Sequence, residues 1–272
     1  MITFGIVQGR LLASPPGELQ WFPGEHWPKE FFLAKDLGIS FIELLAEREH
    51  NSNNPLWLSS GREAIKNIAK NTGRSLYSTC TDFIINHGVV GKESDAVMRH
   101  VFDFLSATEE LGCSVSILPF LEKSNLTAAN MLNFLDPIKE IAKIGKEKNI
   151  TIVLETLLEG PDLKGLLEEI DAPNLGCVFD TGNRVVDNAY LGSEILLLDG
   201  WIKHVHIKDK IKDGTNVLLG TGLVDFLDVF KALNQIDYTG PCVFETTRGS
   251  DPVMTAEYHI QLCNFFNDEA KR

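Results

Sequence analysis

Short apolar, β-branched runs alternate along the chain with longer segments of helical period, and turn residues separate them. The first run is Thr3 to Gln8. A helix follows from near Pro28 to Leu37, with Gly38 placed to end it. The next pairs are Ile39 to Leu44 with Ser59 to Thr72, Ser75 to Asp82 with Glu93 to Leu111, and Cys113 to Leu118 with Thr127 to Lys148. Ile150 to Glu155 precedes a short helix at Asp162 to Ile170, and Asn174 to Asp180 precedes Asp187 to Leu198. The last pairs are Trp201 to Lys208 with a helix from Val224–Phe226 to Gln235, and Pro241 to Thr247 with a helix from Pro252 to about Phe266. Strands alternating with helices imply a parallel sheet. Eight such units in 272 residues match the roughly 250 residues of a closed (β/α)8 barrel. The pattern therefore predicts an α/β protein with residues 1–272 as one barrel domain. The Pro- and Gly-rich stretch Arg10 to Trp27 is long enough to cover the barrel mouth.

Active sites in this architecture lie at the C-terminal ends of the strands. The predicted strand ends are Gln8, Glu43, Asp82, Pro119, Glu155, Asp180, His206 and Glu245. Alternation sets their facing. Glu155, Asp180 and Glu245 share faces with Val153, Val178 and Val243, and branched residues fill barrel interiors. Phe179 and Phe244 then face the helices. In His204-Val-His206-Ile-Lys208 the histidines and the lysine share one face, with Lys208 above His206 in the mouth.

A single strand-end glutamate is ordinarily an ion-paired rim residue. Three carboxylates and an imidazole converging on one mouth are costly to desolvate without a counter-charge. A divalent cation supplies one, and mixed oxygen and nitrogen donors suit Mn²⁺, Mg²⁺, Co²⁺ or Zn²⁺. The metal ligands expected on this reading are Glu155, Asp180, His206 and Glu245. Gln8, Arg10, Glu43, Asn183 and Lys208 are the candidates for substrate contact. Each also has a plainer role open to it, as a rim salt bridge, a cap or a loop residue. Gly220-Thr221-Gly222 before the seventh helix reads either as a phosphate-binding turn or as a simple turn.

Composition narrows the partners. A net charge of −13 opposes the basic footprint that nucleic acid requires, and opposes an anionic membrane surface. The five cysteines form no C-x-x-C pair and read as buried thiols in a reducing compartment. No apolar run approaches the 18 residues of a membrane span, and no signal peptide is recognisable, so a cytoplasmic protein is expected. A homo-oligomer is compatible with all of this.

Val-Leu-Glu155, Val-Phe-Asp180-Thr-Gly-Asn, His-Val-His206-Ile-Lys-Asp and Val-Phe-Glu245-Thr resemble the xylose-isomerase-like barrel superfamily. Within it the chain is similar to the sugar and sugar-phosphate isomerase/epimerase group that includes ketose 3-epimerases and L-ribulose-5-phosphate 3-epimerase. The resemblance implies one divalent metal, often Mn²⁺, held by Glu155, Asp180, His206 and Glu245. It also implies that Glu155 and Glu245 move protons, and that the substrate is a small sugar or sugar phosphate. Asn183 stands where several epimerases carry a histidine. Gly220-Thr221-Gly222 stands where phosphate-epimerase relatives carry Gly-Glu-Gly. Both departures concern the substrate rather than the metal. The chemistry expected is abstraction and return of a proton beside a carbonyl, through an enediolate stabilised by the cation. Inosose-type dehydration uses the same set of groups. An endonuclease IV-like nuclease would need further histidine ligands, and a non-catalytic sugar-binding barrel would not need the glutamate pair.

Overall fold

The computed structural model describes residues 2–188 and 190–272. In chain order its elements are β1 (Phe4–Val7), α1 (Trp27–Asp36), β2 (Phe41–Ala46), α2 (Ser59–Thr72), β3 (Ser78–Thr81), α3 (Phe83–Asn86), α4 (Ser94–Leu111), β4 (Val115–Pro119) and α5 (Leu135–Glu147). They continue with β5 (Thr151–Glu155), α6 (Gly160–Ile170), β6 (Leu175–Asp180), α7 (Thr181–Val185), α8 (Leu191–Leu198), β7 (Ile202–Ile207), β8 (Asp209–Lys210), β9 (Asn216–Val217), α9 (Phe226–Gln235), β10 (Cys242–Phe244) and α10 (Pro252–Glu269). Eight parallel strands close in the order β1-β10-β7-β6-β5-β4-β3-β2, and β8 and β9 form a separate antiparallel ribbon. This is a (β/α)8 barrel.

The predicted alternation places the core. Val153 and Val178 pack inside the ring with Leu45, Cys80, Val115 and Ile117. Val243 joins Val7, Phe41 and Tyr77. Phe179 and Phe244 belong to the large outer cluster between strands and helices. Gly5 makes room for the Phe41 ring, since a Cβ there would lie only 2.4 Å from a ring carbon. All five cysteines are buried and free. Among the described residues no helix is long and apolar enough to cross a membrane.

Helix ends follow local chemistry. Gly73 and Gly112 stop α2 and α4 in the left-handed conformation. Asp225 and Asp251 cap the starts of α9 and α10 with their side chains. Two predicted helices are shorter than expected. The segment from Thr127 begins as a turn and a 3-10 stretch at Met131–Phe134, and the α-helix starts only at Leu135. Pro137 explains this, because its ring excludes the carbonyl four residues earlier from an α-helical turn. The helix expected from Asp187 starts at Leu191, after the separate turn α7.

Candidate active site

Glu155 ends β5, Asp180 ends β6, His206 lies near the end of β7 and Glu245 follows β10. Pairing in register brings Asp180 opposite His206, and His206 opposite Val243. One ligand atom from each of Glu155, Asp180, His206 and Glu245 lies within 4.8 Å of the others, and all four residues are buried. The four expected ligands thus meet at one point.

Asp180 divides its oxygens between two tasks. Oδ1 accepts from the Asn183 backbone N–H at 2.8 Å and caps α7. Oδ2 turns into the cluster, where the Lys208 ammonium lies 2.8 Å away, and His206 Nδ1 is buried without an aligned hydrogen bond. His206 Nδ1 lies 3.1 Å from Glu245 Oε2 and 4.0 Å from Asp180 Oδ2. Three convergent carboxylates beside an imidazole nitrogen with no hydrogen-bond partner fit a hard or borderline divalent cation.

The charges in the cluster are strongly coupled. Burial pushes the Glu155 carboxyl up to about 8, reinforced by Glu245 and Asp180. Burial acts the same way on Glu245, but Lys208, His206 and Arg10 together hold it well below the usual carboxylate range. Burial opposes charge on His206, yet Glu43 and Glu245 raise it well above an ordinary imidazole.

Lys208 lies on its expected face and takes the salt-bridged one of the two roles open to it, but buried rather than out in the mouth. Its Nζ lies 2.8 Å from both Asp180 Oδ2 and Glu245 Oε2, and the residue is only 4% exposed. Its stem runs over Gly182, where a Cβ would come within 2.7 Å of Lys208 Cγ. Glu43 is placed differently. It was expected at a strand end, but β2 continues to Ala46, so Glu43 sits one layer below the mouth with no exposure. Its oxygens face Ser78 Oγ at 2.7 Å, His204 Nε2 at 2.8 Å and His206 Nε2 at 2.9 Å, which leaves it no surface for a substrate.

The other expected contacts lie at the rim. Asn183 Nδ2 donates to Glu155 Oε1 at 2.9 Å. Gln8 Oε1 accepts from Leu45 N, tying β1 to β2. Arg10 is buried, donates to Gln20 Oε1 and lies 3.6 Å from Glu245. Its loop is held by Glu30, which accepts from Gly9 N and Leu11 N, and by Arg248, which donates to Gly9 O and Glu18 O.

Sequence reasoning missed several participants. Lys210 Nζ donates to Asn183 Oδ1 at 2.7 Å and so extends the link to Glu155. Asp82, a predicted strand end given no role, is buried with its carboxyl pushed up to about 7 by burial and by Glu245. It lines a cavity of about 770 Å³ with Gln20, Trp21, Arg48 and His50. The Gly220-Thr221-Gly222 turn holds no free anion cradle. Asp209, buried beneath it, accepts from Gly220 N, Gly222 N and Val224 N at 2.9–3.1 Å. The Lys-Asp pair after His206 was the available signal for that clamp.

Residues 31–266 match the model of the xylose isomerase-like TIM barrel family. The chain belongs to this family. A ketose 3-epimerase of Arthrobacter globiformis is 30% identical over 185 residues, which is 64% of this chain and 62% of that protein's length. An L-ribulose-5-phosphate 3-epimerase of Shigella flexneri is 27% identical over 240 residues, 82% of each chain. Both relatives are epimerases, a kind of isomerase. The solved D-psicose 3-epimerase of Clostridium cellulolyticum H10 superposes with a TM-score of 0.75 at 13% identity, covering 98% of this chain and 99% of that one. At that identity the likeness concerns the fold.

Proposed function

We propose that the protein is a metal-dependent epimerase or isomerase of a ketose, ketose phosphate or related polyol ketone. The observation that carries this reading is the glutamate pair. Glu155 and Glu245 come from strands on either side of β6 and β7 and flank the same donor cluster as Asp180 and His206. The names of the curated relatives support a sugar as substrate. Glu155, Asp180, His206 and Glu245 would hold one divalent ion, Mn²⁺ first among Mg²⁺, Co²⁺ and Zn²⁺. The ion supplies Lewis-acid stabilisation of negative charge on the substrate oxygens. One glutamate takes the proton beside the carbonyl as general base. The other returns one from the opposite side, which inverts the carbon. Arg10 and Lys208 hold Glu245 in its ionised form, as a base requires. Asn183, steadied by Lys210, fixes one oxygen of Glu155 and leaves the other for the substrate. Arg10, whose Nε and Nη1 are buried without hydrogen bonds, would be the residue free to meet sugar hydroxyls, with Gln8 and Asn183 beside the cluster.

Incubation with Mn²⁺ and a ketose panel in D₂O tests the reading. Deuterium is expected at C3 for epimerisation, or at C1 or C2 for isomerisation. Glu155→Gln and Glu245→Gln should each lower exchange by about 10²–10⁴-fold. Uptake of no deuterium from any ketose, aldose or inosose, phosphorylated or free, would replace this reading with a sugar-binding one.

A further inference from the structure

One fully buried carboxylate inside the ring of strands is not used by the proposed chemistry. Glu43 reaches inward from β2, and the histidines it meets lie on β7, three strands away around the ring. Its Oε2 accepts the Ser78 hydroxyl at 2.7 Å. Its Oε1 faces His206 Nε2 at 2.9 Å, and both residues are buried. His204 Nε2 lies 2.8 Å from Oε2 without the alignment of a hydrogen bond.

A carboxylate oxygen only accepts, so the hydrogen bond at 2.9 Å needs a proton on His206 Nε2. A neutral imidazole with Nε2 protonated has its lone pair on Nδ1. Nδ1 is the nitrogen that faces Asp180 and Glu245. The opposite tautomer would set a lone pair against Glu43 and an N–H against the place of the cation. Ligating histidines commonly donate their second N–H to a carboxylate, which fixes ring and tautomer. We infer that Glu43 is a positioning residue that holds His206 as the Nε2–H tautomer and thereby presents Nδ1 to the cation. Its length matters, because an aspartate would fall one methylene short of the imidazoles. The trio Glu43, His204 and His206 also has donor atoms close enough for a second ion. The inference assigns a proton, not an ion, to the Glu43–His206 contact.

This inference rests on the metal reading of the site, and the test separates the two. Wild-type protein loaded with Zn²⁺ is studied by long-range ¹H–¹⁵N NMR of the histidine rings, and ion binding is followed by titration and elemental analysis. The expected wild-type result is one ion per chain, with His206 bound through Nδ1 and protonated at Nε2. Glu43→Gln should raise the Kd for Mn²⁺ and Zn²⁺ by about 10–100-fold. Saturating ion should then restore most of the kcat, because no reacting group is lost. Glu43→Asp should weaken the ion comparably. Circular dichroism and the unfolding temperature check that each variant is folded. In the Zn²⁺-loaded wild type, His206 bound through Nε2 and protonated at Nδ1 would overturn the inference without any variant. So would an unchanged Kd in Glu43→Gln, or two ions per chain falling to one in that variant. Failure of the wild type to bind any ion would instead overturn the metal reading itself.

Discussion

His206 and Glu155 stand at the centre of the site, and a cation can join them only by displacing protons. Without an ion, burial and the neighbouring carboxylates keep Glu155 protonated up to about pH 8. His206 carries its extra proton well above the usual imidazole range. Metal ligation requires the deprotonated forms. Below about pH 8 each ion bound therefore releases protons, so affinity climbs with pH. Between pH 6 and 8 the Kd for Mn²⁺ should fall by about tenfold per pH unit for each proton released. Calorimetric titration in two buffers of different ionisation enthalpy counts those protons. A pH-independent Kd would remove Glu155 and His206 from the ligand set. The four residues of the cluster were readable because each lies at or beside the end of a strand, the three carboxylates on the face of a valine and His206 on the face of His204. Glu43 was misplaced because β2 runs two residues past the expected end, so a residue expected at the rim lies one layer down. Lys208 was placed on the correct face, but alternation says nothing of the carboxylates that draw its ammonium inward.

Among the elements, the loop from β9 to α9 owes its shape to one side chain. Asp209 is fully buried and accepts three amide N–H groups of that loop, besides that of Lys210. Asp209→Ala leaves these donors without partners. Hydrogen bonds to charged groups contribute about 1.5–3 kcal/mol each, so a loss of at least about 2 kcal/mol is expected in urea unfolding. Asp209→Asn, which keeps one acceptor, should lose less. Equal stability of all three proteins would show that the loop holds itself. Most strands and long helices were legible because their periods persist over enough residues and because glycine or proline marks their ends. The short helices α3 and α7 and the ribbon β8–β9 were not. Each spans only two to five residues, too few for a period to be read. The turn at Gly220 looked ambiguous because the residue that fills it lies eleven positions earlier.

At the scale of the whole molecule, a bound ion would join β5, β6, β7 and β10 at their tops. Binding to the folded state alone stabilises by about 2.7 kcal/mol at a concentration of 100 Kd. For a chain of this size that corresponds to a rise in Tm of roughly 5 °C or more. Differential scanning calorimetry with Mn²⁺ and then with excess chelator should show the rise and its reversal. Asp180→Ala should abolish it, and a wild-type Tm that ignores Mn²⁺ would contradict the site. Closure of the ring was legible from eight repeated units. Contacts across it were not, because they join residues far apart in sequence. One of these bears on how the chain is made. Glu43 and His206 are separated by 163 residues. At a synthesis rate of about 5–20 residues per second, the carboxylate leaves the ribosome roughly 8–30 s before its imidazole partner. Until then, packing the first strands into a dry core would strand an ion with only Ser78 to satisfy it. A half-barrel of the first strands alone would therefore bury a charge without its imidazole partners, and it is closure of the ring that satisfies Glu43.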